Sequence, residues 1–62
     1  MKTYEVKLEK LDYKTEEIVE TKETVDAKSY HFNAGFVNFY DDNEEMVASY
    51  PSDNIVLIRE KK

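Results

Sequence analysis

The sequence lacks cysteine and tryptophan, and it has one glycine, one proline and one histidine. Without cysteine, neither a disulfide nor a thiolate metal site can supplement a small core. No apolar run approaches the roughly 20 residues that span a bilayer, and the first residues lack the apolar centre of a signal peptide. We therefore expect a cytoplasmic protein that makes no membrane contact.

Lysine and arginine are absent from thirty consecutive residues, 29–58, although the whole chain has nine of them. This base-free segment contains five acids and six of the eight aromatic residues, namely Asp41, Asp42, Glu44, Glu45 and Asp53, with Tyr30, Phe32, Phe36, Phe39, Tyr40 and Tyr50. The net charge of the chain is −5. A nucleic-acid binder needs a basic footprint to displace counterions from phosphate. The charge distribution therefore disfavours direct contact with nucleic acid and favours a basic partner.

The length of 62 residues allows one small domain, residues 1–62. A domain of this size buries only about 60% of the surface that its unfolded chain exposes. At 40% hydrophobic residues, the chain is too apolar for a disordered tail. The core must come from aliphatic and aromatic side chains or from self-association, so we expect a monomer or a weak homodimer.

The first residues alternate between apolar and charged side chains. Tyr4, Val6 and Leu8 recur with a period of two, which predicts a half-buried strand. The alternation changes phase at Lys10, which predicts a bulge or the end of the strand. Residues 12–15 then favour a turn.

Residues 16–28 are compatible with either a strand or a helix. Ile18, Val19, Lys22 and Val25 would line one face of a helix. Against a helix, the segment is rich in β-branched residues, and no Glu or Gln follows Thr15 by three positions to complete a capping box. We predict a second strand, with a helix at 16–28 and an α+β fold as the alternative.

The second half of the chain alternates short extended runs with turns. Extended runs are predicted at 30–32, 36–40 and 46–50, a three-residue hairpin loop at 33–35 and a polar turn at 41–44. On the run 36–40, Val37 and Phe39 share one face, while Phe36, Asn38 and Tyr40 share the other. Both faces are rich enough in apolar groups to be buried, so one of them can meet a partner.

The last part of the chain predicts a turn followed by a closing strand. Pro51 to Asn54 favours one turn of 3₁₀-helix. Residues 55–58 are apolar on both faces, which is typical of a central or doubly buried strand. Residues 59–62 are charged and predict a solvated end.

These patterns predict an all-β fold, a small antiparallel barrel of five to six strands or a strongly curved sheet. Residues 50–58 resemble the end of a Src-homology-three (SH3) barrel, where a strand runs into Pro-Ser, a 3₁₀ turn and a short closing strand. The resemblance covers nine residues and implies an SH3-like barrel topology. It does not extend to polyproline binding, because the chain lacks the family's tryptophan and the aromatic pair that lines its ligand groove.

Catalytic and metal-binding patterns are incomplete. The chain has no cysteine and no Gly-Ser elbow, and a barrel of this size has little room for a pocket that would raise a carboxyl pKa. Asp41, Asn43 and Glu45 are spaced like the opening of a calcium loop, but Met46 and Ser52 occupy the positions of its required Gly and Glu. We therefore expect neither enzymatic activity nor a cofactor or metal.

The sequence favours a small, acidic, non-enzymatic module that binds another protein. The candidate binding residues are the acids of two turns and the neighbouring tyrosines: Asp41, Asp42, Glu44, Glu45, Asp53, Tyr40 and Tyr50. A sharper hypothesis is a phage or bacterial inhibitor, of the anti-restriction or anti-CRISPR type, that engages the basic surface of a nucleic-acid-handling protein. The alternatives are a structural β-domain that self-associates through a strand edge and a small nucleic-acid-binding barrel.

Overall fold

The computed structural model describes residues 1–61 as six antiparallel strands and one 3₁₀ turn. The strands are β1 (Lys2–Asp12), β2 (Glu17–Ala27), β3 (Ser29–Asn33), β4 (Phe36–Tyr40), β5 (Met46–Pro51) and β6 (Ile55–Lys61), and the 3₁₀ turn is Ser52–Asn54. The prediction of an all-β fold is confirmed. The alternative helix at 16–28 is wrong, because the β-branched residues of this segment pack well on a pleated sheet and lie in β2. Within residues 1–61, no helix has the length and apolarity needed to cross a membrane.

The strands form two three-stranded sheets. The first sheet has the order β2-β1-β6 and the second has the order β3-β4-β5. The two sheets do not close on each other, so the prediction of a barrel is wrong. β1 and β2 each have eleven residues, whereas the strands of the second sheet have five or six. About half of the length of the β1–β2 hairpin therefore has no strand of the second sheet beside it. The molecule is consequently a flat body of 41 × 27 × 13 Å.

The β1–β2 hairpin is regular from end to end. Its pairing runs without a shift from Lys2 opposite Ala27 to Asp12 opposite Glu17. The predicted bulge or strand end at Lys10 is therefore wrong, and the irregularity of β1 lies instead between Lys7 and Leu8, on the side that pairs with β6. β6 pairs with β1 only as far as Leu8. The rest of the hairpin does not pack on the core, so packing does not determine which of its faces carries the apolar residues.

The predicted turn after β1 is present, one residue later than expected, at residues 13–16. The Glu16 amide donates a hydrogen bond to the Asp12 carbonyl at 2.7 Å, and the Lys14 amide donates to Asp12 Oδ1 at 2.9 Å. Tyr13 at the tip is 85% exposed.

The closing strand β6 is an edge strand rather than the predicted central one. It pairs only with β1, which is the central strand of the first sheet. Val56 and Leu57 are 49% and 42% exposed, while Ile55 and Ile58 pack against the core. Although β6 is apolar on both faces, it packs against the core on one side only, because no second layer covers the outer side of the first sheet. The predicted 3₁₀ turn before β6 is confirmed.

The core lies between the two sheets. Its buried side chains come from β1, β2 and β4 and are Tyr4, Val6, Val25, Ala27, Val37 and Phe39. The sequence left open which face of residues 36–40 is buried, and the structure buries the face with Val37 and Phe39. Phe39 is fully buried, and its ring lies 5.7 Å from that of Tyr4 and 5.9 Å from that of Tyr50 between centroids. This aromatic contact joins the two sheets.

The β3–β4 loop is tighter than the three-residue loop that the sequence predicts. Asn33 pairs with Phe36, so that only Ala34 and Gly35 form the loop. Both have positive φ, 53° for Ala34 and 82° for Gly35, as a type I′ hairpin turn requires. Glycine adopts this conformation freely, whereas the Cβ of alanine is crowded there.

Ala34→Asn should stabilise the protein. Asparagine tolerates the left-handed conformation better than alanine, and Asn-Gly is a preferred pair for a type I′ turn. We expect the free energy of unfolding to rise by about 0.5–1 kcal/mol, measured by urea denaturation. The matched control is Ala48→Asn on β5, where no positive φ occurs and where partial burial makes the same substitution unfavourable. Equal effects at the two positions would contradict the explanation.

Candidate protein-interaction surface

Most of the base-free segment, residues 29–51, forms the second sheet and its loops, while its last residues, 55–58, lie in β6 of the first sheet. From residue 29 to residue 51, the second sheet and its loops carry four acids and no base. The first sheet and its hairpin turn carry acids and bases in near balance. A charge pattern that runs along the chain is thus converted into one side of the molecule, because β3, β4 and β5 follow one another in sequence and in space.

One face of the second sheet packs on the core, and the other, the outer face, is open. Cross-strand pairing arranges the outer face in three rows, Asn33-Phe36-Pro51, His31-Asn38-Ser49 and Ser29-Tyr40-Met46. Phe36 and Met46 are 47% and 58% exposed. The middle row is fastened by a hydrogen bond of 2.6 Å from Ser49 Oγ to Asn38 Oδ1. The outer face therefore combines exposed apolar and aromatic side chains with polar ones.

The acidic turn between β4 and β5 is organised by one of its own carboxylates. Asp41 Oδ1 accepts hydrogen bonds from the amides of Asn43 at 2.8 Å and Glu45 at 3.0 Å. The Asp41 amide donates to the Glu45 carbonyl at 2.9 Å, and Glu44 has a positive φ of 60°. Asp41 therefore holds the loop in shape, which leaves the exposed Asp42, Glu44 and Glu45 available for a partner.

A shallow depression of about 300 Å³ lies where the outer face meets the acidic turn. Its lining combines two rings with charged groups, and the residues are Lys28, Ser29, His31, Tyr40, Asp41 and Glu44. The rings of His31 and Tyr40 lie 5.7 Å apart between centroids. Aromatic surface beside carboxylates can receive a lysine or arginine side chain by ion pairing and cation–π contact.

The structure brings together only some of the residues that the sequence selects for binding. Tyr40 lies on the outer face beside the acidic turn. Asp53 lies in the 3₁₀ turn, at the opposite end of β5. Tyr50 points to the inner side, where it packs on the core against Phe39. Burial, together with the neighbouring Glu23 carboxylate, raises the pKa of Tyr50 to about 12. Tyr50 therefore belongs to the packing around the core.

Sequence reasoning did not select His31, Met46 or Pro51, which the register adds to the outer face. The alternation of β4 identifies its own outward residues but does not tell which residues of β3 and β5 stand beside them. A shift in register between Phe39 and Tyr40 places Met46, rather than Val47, opposite Tyr40. That bulge leaves no clear signal in the sequence.

No known protein family, curated protein or solved structure matches this chain. Its function is therefore inferred from the chemistry of its own surface.

Proposed function

We propose that this protein is a non-enzymatic binding module whose outer face, rimmed by the acidic turn, docks on a basic surface of another protein. The observation that carries the proposal is that the exposed side chains of Phe36 and Met46 lie on one face of a sheet that has acids and no base. Carboxylates at the rim steer a basic partner, and Phe36, Tyr40 and Met46 supply contact area on the outer face. Asp53, at the other end of β5, extends the acidic rim.

The proposed partner is a nucleic-acid-handling protein. Its phosphate-binding surface is rich in lysine and arginine, and those side chains pair with carboxylates as they do with phosphate. A small acidic protein that occupies such a surface blocks the nucleic acid, which is the mode of action of an anti-restriction or anti-CRISPR inhibitor from a phage or bacterium. Direct binding of nucleic acid by the aromatic residues of the second sheet is disfavoured, because residues 29–51 contain no base and the neighbouring Lys28 lies beside Asp41 and Glu44.

Reversing the exposed acids of the turn should abolish capture of the partner. The variant carries Asp42→Lys, Glu44→Lys and Glu45→Lys, and it retains Asp41 because that carboxylate holds the loop. We expect the amount of basic protein retained by the immobilised chain to fall at least about tenfold, since attraction at the rim becomes repulsion. The retained proteins are identified by mass spectrometry, and binding by the native chain should weaken between 50 and 500 mM salt.

The matched control reverses three acids of the first sheet and its hairpin turn, with Glu9→Lys, Glu16→Lys and Glu17→Lys. The two variants have the same net charge, so any difference between them depends on where the charges lie. We expect the control to retain most of the binding. Capture that is insensitive to salt, or equally weak in both variants, would contradict the proposed surface.

A further inference from the structure

Strand β2 presents the longest unpaired edge among residues 1–61. It has eleven residues and a hydrogen-bonded neighbour, β1, on one side only. Residues 17–24 are all exposed. In an edge strand, every second residue directs its N–H and C=O groups away from its neighbour. The other edge strands, β3, β5 and β6, have five, six and seven residues.

The charges on β2 are incompletely neutralised within one copy. The register places Lys22 opposite Lys7 and Glu20 opposite Glu9, and like charges in such positions repel. Lys7 Nζ lies 2.9 Å from Glu20 Oε1, which relieves one of them. Among residues 1–61, no carboxylate lies within ion-pair distance of Lys22. Lys22 is therefore open to a carboxylate on a further strand.

We propose that two copies of the chain pair antiparallel through β2, with the two-fold axis at Thr21. Residues 17–25 then overlap, Glu20 lies opposite Lys22 of the second copy, and Lys22 lies opposite Glu20 of the second copy. Each like-charged pair of the hairpin gains an opposite charge on its open side. The two first sheets become one six-stranded sheet, as in other cases of strand addition.

Charge and face select this register. Paired residues must share a face, so the axis must pass through a residue rather than between two. If the axis passed through Glu20, Lys22 or Glu23, that residue would lie opposite its own copy, and the two like charges would repel. An axis at Thr24 opposes Lys22 to Asp26, but it overlaps fewer residues, and Asp26 Oδ1 already accepts a hydrogen bond of 2.8 Å from Thr3 Oγ1.

The proposed dimer is weak and does not depend on the proposed function. Nine residues of one strand bury far less than the roughly 800 Å² per partner of a standard interface, so we expect association on the order of 100 μM. Pairing through β2 leaves the outer face of the second sheet exposed. Failure of the dimer would therefore leave partner capture by the acidic turn unaffected, and the reverse also holds.

Cross-linking tests the register directly. The chain has no cysteine, so Thr21→Cys introduces a single thiol on the two-fold axis. Opposed Cα atoms of an antiparallel pair are about 4.5–5.5 Å apart, which suits a disulfide. We expect Thr21→Cys to form a disulfide dimer on mild oxidation at least about tenfold faster than Thr24→Cys, which the proposed register opposes to Ile18. Non-reducing electrophoresis measures the rate, and circular dichroism verifies that both variants are folded.

Charge exchange tests the ion pairs without a covalent bond. Glu20→Lys and Lys22→Glu should each abolish association in sedimentation equilibrium, since each opposes like charges. An equimolar mixture of the two variants should restore a species of twice the chain mass of 7.4 kDa. Each substitution changes the net charge of −5 by two units, so both variants stay negative and general attraction does not bring them together. The doubly substituted chain should also dimerise.

The native chain is expected to approach the dimer mass at millimolar concentration. A native chain that remains monomeric there would overturn the proposal. Equal cross-linking rates for the two cysteine variants, or a faster rate for Thr24→Cys, would overturn the register.

Discussion

Phe39→Ala is expected to remove a large part of the free energy of unfolding of this protein. Phe39 is fully buried between the two sheets, where its ring contacts those of Tyr4, Tyr30 and Tyr50. Removing a buried phenylalanine ring costs about 3–5 kcal/mol. A domain of 62 residues has a total free energy of unfolding of roughly 3–9 kcal/mol, so the loss consumes most of it. Thermal unfolding followed by circular dichroism measures the change.

The matched control is Phe36→Ala, on the same strand but on the outer face. Phe36 is 47% exposed, so we expect its truncation to cost less than about 1 kcal/mol. The folded Phe36→Ala variant should capture less of the basic partner, because the ring supplies apolar contact area on the proposed docking surface. Similar destabilisation by the two substitutions would show that the core does not lie on the inner side of the second sheet.

The free energy of unfolding should fall between pH 10 and pH 12 because of Tyr50. Burial, with the nearby Glu23 carboxylate, raises the pKa of Tyr50 from its usual 10.0 to about 12 in the folded chain. In that interval the unfolded chain loses the phenolic proton while the folded chain keeps it, so rising pH favours unfolding. The stabilisation is fully present below pH 10. Tyr50 is partly accessible to solvent, so we expect a loss of about 1–2 kcal/mol.

Tyr50→Phe should remove this part of the alkaline destabilisation. Lys7 contributes in the same direction, because its hydrogen bond to Glu20 raises its pKa above 10.5 and stability is lost as the ammonium deprotonates. The comparison is therefore between variants, using urea midpoints at pH 8, 10 and 11.5. Tyr13→Phe, at the exposed hairpin tip, serves as the control and should follow the native curve. An identical pH dependence for Tyr50→Phe and the native chain would contradict the assignment.

The two tyrosines chosen for partner binding show how position on a strand differs from position in space. Tyr40 and Tyr50 flank the same acidic, base-free part of the sequence, and nothing in their neighbours distinguishes them. Tyr40 lies on the outer face beside His31, whereas Tyr50 packs inward on Phe39. The proposed surface therefore depends on Tyr40, while Tyr50 stabilises the fold.

Local pattern was sufficient to predict most of the strands and turns. The strand Phe36–Tyr40 has its predicted bounds, and its alternation correctly groups Val37 with Phe39, although the sequence did not show that theirs is the buried face. The choice of a strand over a helix for β2 follows from its β-branched residues. The predictions that depend on neighbours fared worse, since the bulge expected at Lys10 lies between Lys7 and Leu8 and the apolar β6 is an edge strand.

Periodicity, turn residues and charge are properties of neighbouring residues, so they were enough to predict a small β protein with a base-free acidic segment. Which faces of its strands are covered depends on pairing between residues far apart in the chain, so the sequence left this open and the fold resolved it. The fold separated the acidic turn from Asp53, left the barrel open and turned residues 29–51 of the base-free segment into one side of the molecule. For the same reason, the sequence does not show that β2 is an edge strand or that Lys22 has no ion-pair partner among residues 1–61. Both depend on where β1 and β6 lie.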